Sequence, residues 1–312
     1  MNQQAAPAVL SVVVVSFNAL PLLERCLSAL ECQTTQPAIE IIVVRHPEID
    51  QRELEVLKRR FQRVLWVCAP VDFNVPRMRR LGMDQSTSEI IALLEDDCVP
   101  TETWVAKLQK AHQGDVAAVG GAVEPNQYTK RLDWALYFCE YGQYMNPLPE
   151  GTAVGLPGAN VSYKRSALRQ LSDDCELDEG DPERDGFYEV FVHQKLTRSG
   201  RTMKADPGLV VHNVNTWKFP IALKSRFHHG RGFASMRVAD RPHWVRPLFL
   251  GLAILLPVVQ VGRIVRQVMA RRRHRLNMVQ ALPWIILISA SWSTGEFAGY
   301  LLGPGKSLGQ WR

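Results

Sequence analysis

Short apolar runs alternate with amphipathic segments over the first third of the chain. Residues 9–15 are almost all apolar and mostly β-branched, which is typical of a strand in a sheet that is covered on both faces. Residues 20–30 then place leucines and a cysteine at helical spacing, and residues 39–44 form a second apolar run. Because this alternation repeats as far as an apolar run at residues 90–94, we expect an α/β fold with a mostly parallel central sheet flanked by helices.

Composition agrees with a folded chain. The 312 residues are 46% hydrophobic and 22% charged, with a net charge of +6 that is concentrated towards the C-terminus. The six cysteines form no CxxC pair, which favours a reduced, cytosolic environment over a zinc site or a disulfide framework. The first residues lack the basic region of a signal peptide, so we expect the bulk of the chain on the cytoplasmic side of the membrane.

Three consecutive carboxylates, Glu95, Asp96 and Asp97, follow the apolar run at residues 90–94. A turn with an acidic cap for the next helix would account for one such acid. Three acids repel one another unless a positive group neutralises them, and a hard divalent cation with oxygen ligands does this well. The cluster therefore predicts a Mn²⁺ or Mg²⁺ site that could also bind phosphate oxygens.

Four segments carry a resemblance to a known family. They are Val-Val-Val-Val-Ser-Phe-Asn at 12–18, Leu-Glu-Asp-Asp-Cys-Val-Pro at 94–100, Val-Gly-Gly-Ala-Val-Glu-Pro at 119–125 and Pro-Gly-Ala-Asn-Val-Ser-Tyr-Lys-Arg at 157–165. In this order the segments resemble family 2 glycosyltransferases of the GT-A fold, over roughly residues 9–235. The resemblance implies a Rossmann-like fold and a metal-dependent, inverting transferase that moves a sugar, of the hexosyl type, from a nucleotide-sugar donor.

The resemblance also implies roles for the residues at the donor side. The acidic cluster matches the family's DxD motif, with Asp97 as the metal ligand and with Glu95 and Asp96 contacting the ribose of the donor or the waters on the metal. His212 would be a second metal ligand, although a structural histidine is an equal alternative. Further donor contacts are expected from the turn after the first strand and from the end of the second strand, at Ser16, Asn18 and Arg45.

Two positions depart from the family's pattern. The family has an acidic pair before its catalytic helix, whereas this chain has Tyr188 and Glu189, which leaves Glu189 as the expected catalytic base. The alternative is that Glu189 merely stabilises the first turn of a helix. The family also commonly has an aspartate near the nucleobase where this chain has Arg45, so a uridine nucleotide should not be assumed. His193 is expected to be a packing residue.

The C-terminal part differs in character from the rest. We expect a glycosyltransferase domain at residues 1–240, with a nucleotide-sugar half at 1–125 and an acceptor half at 126–240, and membrane-associated helices at 241–312. The basic loop at 271–275 favours helices that lie in the membrane surface without crossing it. This arrangement suggests a glycan or lipid-linked acceptor and a role in polysaccharide biosynthesis at the cytoplasmic face.

Other interpretations are weaker but distinct. A nucleotidyltransferase would need a glycine-rich phosphate loop after the first strand, where this chain has Ser16, Phe17 and Asn18. A non-catalytic membrane-bound scaffold with the same fold would explain the two departures. The acidic segment at 172–187 is expected to be a solvated loop, or else to lie near the acceptor. No nucleic-acid-binding motif is present, and the sugar, the nucleobase, the linkage and the oligomeric state stay open.

Overall fold

The structure is a computed structural model that describes residues 9–34, 39–47, 51–173, 186–239, 241–242 and 244–310. Within these ranges the strands are β1 Leu10–Ser16, β2 Ile39–Arg45, β3 Val64–Cys68, β4 Ile90–Glu95, β5 Cys98–Pro100, β6 Ala118–Pro125, β7 Gly151–Thr152, β8 Asn160–Lys164 and β9 Met203–Asn213. The helices are α1 Leu20–Glu31, α2 Gln51–Arg60, α3 Val75–Gln85, α4 Trp104–Ala111, α5 Arg131–Glu140, α6 Arg165–Asp173, α7 Glu189–Arg198, α8 Phe219–Arg237, α9 Val245–Arg271 and α10 Arg275–Leu302. The predicted alternation of strands and helices is confirmed.

The described strands form one mixed sheet in the order β3-β2-β1-β4-β8-β6-β9-β5, with β7 paired to β9. The strands β3, β2, β1 and β4 run parallel to one another. Strand β8 is antiparallel to both β4 and β6, and β9 is antiparallel to both β5 and β7. The chain builds outwards from β1 to β3 and then returns to add β4 on the other side of β1. In open α/β sheets such a reversal marks the crevice where ligands bind.

The chain divides into two compact units, and the sheet lies in the first of them, Met1–Glu124 with Asn146–Val214. Strand β1 is buried along its whole length, as its continuous apolar sequence predicts. Helix α3 lies directly on the sheet because Gly82 has no side chain. A Cβ at Gly82 would come within 2.8 Å of Cγ2 of Val44 on β2. This close contact fixes the distance between α3 and the carboxyl ends of the strands.

The second unit comprises Pro125–Met145 and Asn215–Arg312. Aromatic and aliphatic side chains of α5 pack here with those of α9 and α10, and Ile285 is among the fully buried ones. Helices α8 and α10 approach closely at glycines, since a Cβ at Gly295 would lie 2.9 Å from the carbonyl carbon of Phe227. Such backbone contacts between helices need small residues at the interface.

The units are defined by contacts within the chain, and the predicted domain boundary at residue 240 stays a prediction. The contacts place the boundary at Val214 and assign residues 125–145, which the sequence suggested were part of the acceptor half, to the unit of the C-terminal helices. Most of the predicted acidic loop, residues 174–185, lies outside the described residues. In the described part of the chain, five cysteines are free, namely Cys26, Cys32, Cys68, Cys98 and Cys139.

Candidate functional site

A buried polar cluster occupies the crevice between β1 and β4. Asp96, directly after β4, is fully buried and accepts hydrogen bonds from the Ser16 hydroxyl at 2.8 Å and from the backbone N–H groups of Phe17 and Asn18 at 3.1 and 3.0 Å. The side-chain amide of Asn18 donates to the other carboxylate oxygen of Asp96, Oδ1, at 2.6 Å. The middle acid of the cluster therefore binds the turn that follows β1.

Arg45 completes this cluster from the end of β2. Its guanidinium lies 3.7 Å from the Asp96 carboxylate, donates to the Ser16 hydroxyl, and donates to the carbonyl oxygen of Asn18 at 2.7 Å. Burial raises the pKa of Asp96, and the hydrogen bonds from Asn18 and Ser16 together with Arg45 oppose that rise. Burial lowers the pKa of Arg45, and the charge of Asp96 opposes that change.

These contacts change the expected roles of two residues. Asp96 is 0% exposed and Arg45 is 3% exposed, so neither presents its charge to solvent in this conformation. Direct donor contact, as predicted for both, would require the crevice to rearrange, because the Asp96 carboxylate and the terminal nitrogens of Arg45 already bind the chain. Their effect on a ligand would instead pass through the geometry of the Ser16–Asn18 turn. Ser16 and Asn18 are brought to the crevice, as the sequence suggested.

Glu95 and Asp97 flank the buried Asp96 and lie at the carboxyl end of β4. The Glu95 side chain is 17% exposed, and Asp97 is more buried. The backbone carbonyl of Asp97 accepts a hydrogen bond from the N–H of Val214 at 2.8 Å, and its carboxylate accepts a weak one from the Cys98 thiol at 3.5 Å. Burial and the neighbouring charge of Asp97 raise the pKa of Cys98, which favours the protonated thiol.

The residues at this edge have the right chemistry for Mn²⁺ or Mg²⁺ but supply few ligands. Among the described residues, no three His, Cys, Asp or Glu side chains converge to enclose a metal ion. His212 is half-buried on β9 and pairs in register with Val99, two residues beyond Asp97. Carboxylate and imidazole suit these cations, and Mg²⁺ is commonly held by one or two carboxylates together with substrate phosphates and waters. The site thus fits a cation whose coordination a bound diphosphate would complete.

Glu189 is the first residue of α7, where the sequence placed the candidate base. Its side chain is 25% exposed, and one of its oxygens, Oε2, accepts a hydrogen bond from Arg79. Tyr188, at the position of the family's other acid, is buried and accepts a hydrogen bond from the Asn74 side chain at 3.2 Å. The tyrosine therefore fixes the start of α7 against the start of α3, which is a structural role in place of a carboxylate.

Arg79 was not predicted, and it connects the two halves of the candidate site. It lies on α3, is buried, and its two terminal nitrogens bind Glu189 and Glu95, the latter at 3.0 Å. Its spacing in the sequence carries a signal. The buried face of α3 is formed by Val75, Met78, Gly82 and Met83 together with Arg79. An arginine at a core position of an amphipathic helix needs an acidic partner, and this pattern could have singled it out.

A mixed sheet with carboxylates at its switch point defines an α/β fold with a ligand crevice at that edge. The chain matches the model of the family "Glycosyl transferase family 2" over residues 11–172, which is more than half of its length. It belongs to that family and is a glycosyltransferase of the GT-A fold, as the resemblance implied. None of the curated proteins is significantly similar in sequence to this chain.

A solved structure supports the fold over almost the whole chain. The mannosyltransferase PcManGT from Pyrobaculum calidifontis, in complex with GDP-Man and Mn²⁺, superposes with a TM-score of 0.58 at 16% sequence identity. The similarity covers 96% of this chain and 88% of the mannosyltransferase. At this identity the likeness shows a shared fold.

Proposed function

We propose that the protein is a metal-dependent, inverting glycosyltransferase that transfers a sugar from a nucleotide-sugar to a glycan or lipid-linked acceptor at the cytoplasmic face of the membrane. The observation that carries the proposal is that Arg79 holds Glu95, at the donor-side motif, and Glu189, the candidate base, at the same time. The donor side and the acceptor side of the reaction would then lie at two carboxylates that bind the same guanidinium group.

The donor side is assigned to the acids of the DxD motif. Asp97, with His212, would hold Mn²⁺ or Mg²⁺, and Glu95 would contact the donor sugar nucleotide or the waters on the ion. When bound, the ion supplies positive charge that stabilises the departing nucleoside diphosphate. Asp96 and Arg45 keep the Ser16–Asn18 turn in a fixed shape beside the nucleotide. The Mn²⁺ and GDP-Man in the mannosyltransferase of similar fold support this assignment.

Glu189 is assigned the role of base on the acceptor side. It takes the proton of the acceptor hydroxyl while the hydroxyl oxygen forms a bond to the anomeric carbon. The bond from that carbon to the diphosphate oxygen breaks at the same time, and its electron pair leaves with the nucleoside diphosphate. A single displacement of this kind inverts the anomeric configuration. Arg79 binds Oε2, so Oε1 is the atom assigned to the proton.

Membrane association is part of the proposal, and the two C-terminal helices support it. Both α9 and α10 are long and apolar enough to cross a membrane by length and composition. On α9 one group of exposed apolar residues runs from Leu248 to Val259, and exposed Arg263 and Arg266 separate it from a further exposed apolar residue, Met269. The group from Leu248 to Val259 is about 18 Å long at 1.5 Å per residue, which is shorter than the roughly 30 Å hydrocarbon core. It favours a helix that lies in the membrane surface.

The test is a panel of nucleotide-sugars, including GDP-Man, incubated with the purified protein, Mn²⁺ and membrane extract. We expect one donor to be consumed, and we expect Asp97→Ala to abolish its turnover because the cation loses its main carboxylate. Glu189→Gln should keep donor binding, measured by calorimetry, and lower kcat by about 10²- to 10⁴-fold, the range that a general base contributes.

Asp84→Ala is the matched control, since Asp84 is an exposed acid that pairs with Arg80 on the solvent side of α3. This variant should transfer sugar at the wild-type rate. If the wild-type protein neither binds nor consumes any donor, with or without the cation, the enzymatic assignment is wrong and a scaffold function replaces it. Full activity of Glu189→Gln would move the base to another residue.

A further inference from the structure

We infer that Arg79 is a positioning residue that couples the donor side of the reaction to the base. The inference rests on the proposed function and adds a residue that neither the motif nor the family resemblance singled out. Arg79 acts through Glu189 and Glu95, and binding of the donor at Glu95 then changes how firmly Glu189 is held. Glu95 and Glu189 are coupled because both bind the guanidinium group of Arg79.

The first step in the argument is the geometry of the guanidinium. Its nitrogen Nη2 lies 3.0 Å from Oε1 of Glu95, and Nη1 donates to Oε2 of Glu189. The arginine side chain is only 5% exposed, whereas both carboxylates are partly exposed and can reach a ligand. A planar fork of N–H donors suits two carboxylates in fixed directions, which an ammonium group cannot reproduce.

The second step is that the surrounding chain holds this arrangement in place. A Cβ at Gly158 would lie 2.8 Å from Nη2 of Arg79 and 2.8 Å from Oε1 of Glu189, so the absent side chain makes room for the pair. The N–H of Phe187 donates to the carbonyl of Pro76 at 2.8 Å, which ties the segment before Glu189 to α3. The segment that precedes the base is therefore hydrogen-bonded to α3, the helix that carries Arg79.

The third step is the consequence of sharing one cation between two acids. Each carboxylate receives part of the attraction of Arg79, and this attraction is strong because the guanidinium is removed from water. When Glu95 turns towards the donor or its cation, Arg79 loses one of these two carboxylates and keeps its bond to Glu189. Glu189 is then held at one oxygen with the other directed towards Gly158. Donor binding thus orders the base, and the acceptor should bind productively only after the donor.

The experiment compares Arg79→Lys and Arg79→Gln with Arg80→Lys and Arg80→Gln in the full-length protein. Arg80 is the next residue on α3, is exposed, and pairs with Asp84, so its variants control for lost charge on this helix. We expect Arg79→Gln to lower kcat about 100-fold with less than a threefold change in the KM of the donor, because orientation is lost while donor binding is kept. Arg79→Lys should recover only part of kcat, and the Arg80 variants should behave as wild type.

Thermal unfolding of each variant shows whether it is folded, and Arg79→Lys retains the charge if Arg79→Gln does not fold. A double-mutant cycle of Arg79→Lys with Glu95→Gln measures the coupling, which we expect to make the two losses in kcat non-additive. Wild-type kcat in Arg79→Lys, additive losses in the cycle, or a change in KM alone would overturn the inference while the proposed function stands. An inactive wild-type protein would contradict both the inference and the proposed function.

Discussion

At the scale of single residues, Gly158 lies against the ends of both charged partners in the candidate site. Substitution to alanine should displace Arg79 and Glu189, since its Cβ would lie 2.8 Å from an atom of each side chain. We expect sugar transfer to fall about 10- to 100-fold, because misplacement of a reacting group by about 1 Å can cost that much. Steady-state kinetics measure the effect.

Gly155→Ala is the control for this prediction. Gly155 precedes Gly158 in the same loop, and a Cβ there would meet no atom within 4 Å. Its alanine variant should keep wild-type kcat. Equal losses in the two variants would mean that flexibility of the loop, and not the space beside Arg79, is what the reaction needs.

His193 and His112 make the stability of the protein depend on pH. Burial lowers the pKa of each to about 4, and each ring bonds a buried hydroxyl, of Tyr163 at 2.8 Å and of Ser162 at 2.7 Å. Their unfolded pKa is 6.5, so the unfolded chain binds more protons between pH 6.5 and 4, and stability falls as the pH is lowered through that window. The loss is on the order of 2 to 3 kcal/mol for each histidine.

Thermal unfolding between pH 4 and 7.5 tests this prediction, with His193→Gln as the comparison. The variant should show a shallower decline in stability below pH 6.5 because it lacks one of the two titrating rings. An unchanged slope would indicate that His193 is protonated in the folded protein. The structure agrees with the expectation that His193 is a packing residue, since it is buried and its ring also accepts a hydrogen bond from the N–H of Leu156 at 3.4 Å.

The acids at the end of β4 were easier to recognise in the sequence than the arginines beside them. Glu95 and Asp97 were identifiable because they are neighbours in the sequence at the end of an apolar run. Arg79 is one of three arginines within four residues of α3; its spacing marks a core position, but only the fold shows that its partners are Glu95 and Glu189. Arg45 was placed correctly at the end of β2, but the direction of its side chain depends on contacts with Asp96.

At the scale of secondary-structure elements, the packing of α8 against α10 depends on glycine. A Cβ at Gly295 would lie 2.9 Å from the carbonyl carbon of Phe227, which is backbone and cannot move aside. We expect Gly295→Ala to destabilise the second unit by roughly 1 to 3 kcal/mol through overpacking. Thermal unfolding in detergent should show the change as a lower Tm.

Gly251→Ala provides the comparison on α9. A Cβ at Gly251 meets no atom within 4 Å, and alanine is a better helix former than glycine, so this variant should be as stable as wild type or more stable. If Gly295→Ala were equally stable, the two helices would be separating in detergent and the close packing would not be maintained there.

Both C-terminal helices contain a proline, and α9 and α10 continue through Pro257 and Pro283. A proline removes one backbone hydrogen bond, and the contacts of a long helix can outweigh that cost. The antiparallel strands β5 and β7 were missed because three and two residues are too few to show a period.

At the scale of the whole molecule, we expect the protein to stay on membranes after an alkaline carbonate wash. The apolar face of α9 is the reason, because Leu252 and Leu255 are among its exposed residues. Substituting both by aspartate should release the protein into the supernatant, and immunoblotting of the two fractions measures the distribution. Val56→Asp, at an exposed apolar residue of α2 in the first unit, should have no effect.

Complete release of the wild-type protein by carbonate would contradict an embedded apolar face and would leave only a surface contact through charge. The grouping of residues 125–145 with the C-terminal helices could not be predicted in the same way as the membrane contact. The membrane contact could be predicted because the apolar segments at the C-terminal end are visible in the sequence. Partners of α5 lie far along the chain, as with Trp217, which is 84 residues from its partner Asp133, and no local pattern records which unit a helix joins.

The buried Asp96 has a further consequence when the charges around it are counted. With every group ionised, the carboxylates of Glu95, Asp96, Asp97 and Glu189 carry four negative charges, and Arg45 and Arg79 supply two positive ones. The cluster is left with a charge of minus two, which one divalent cation neutralises. A diphosphate arriving alone would be repelled, so its affinity is thermodynamically linked to that of the cation.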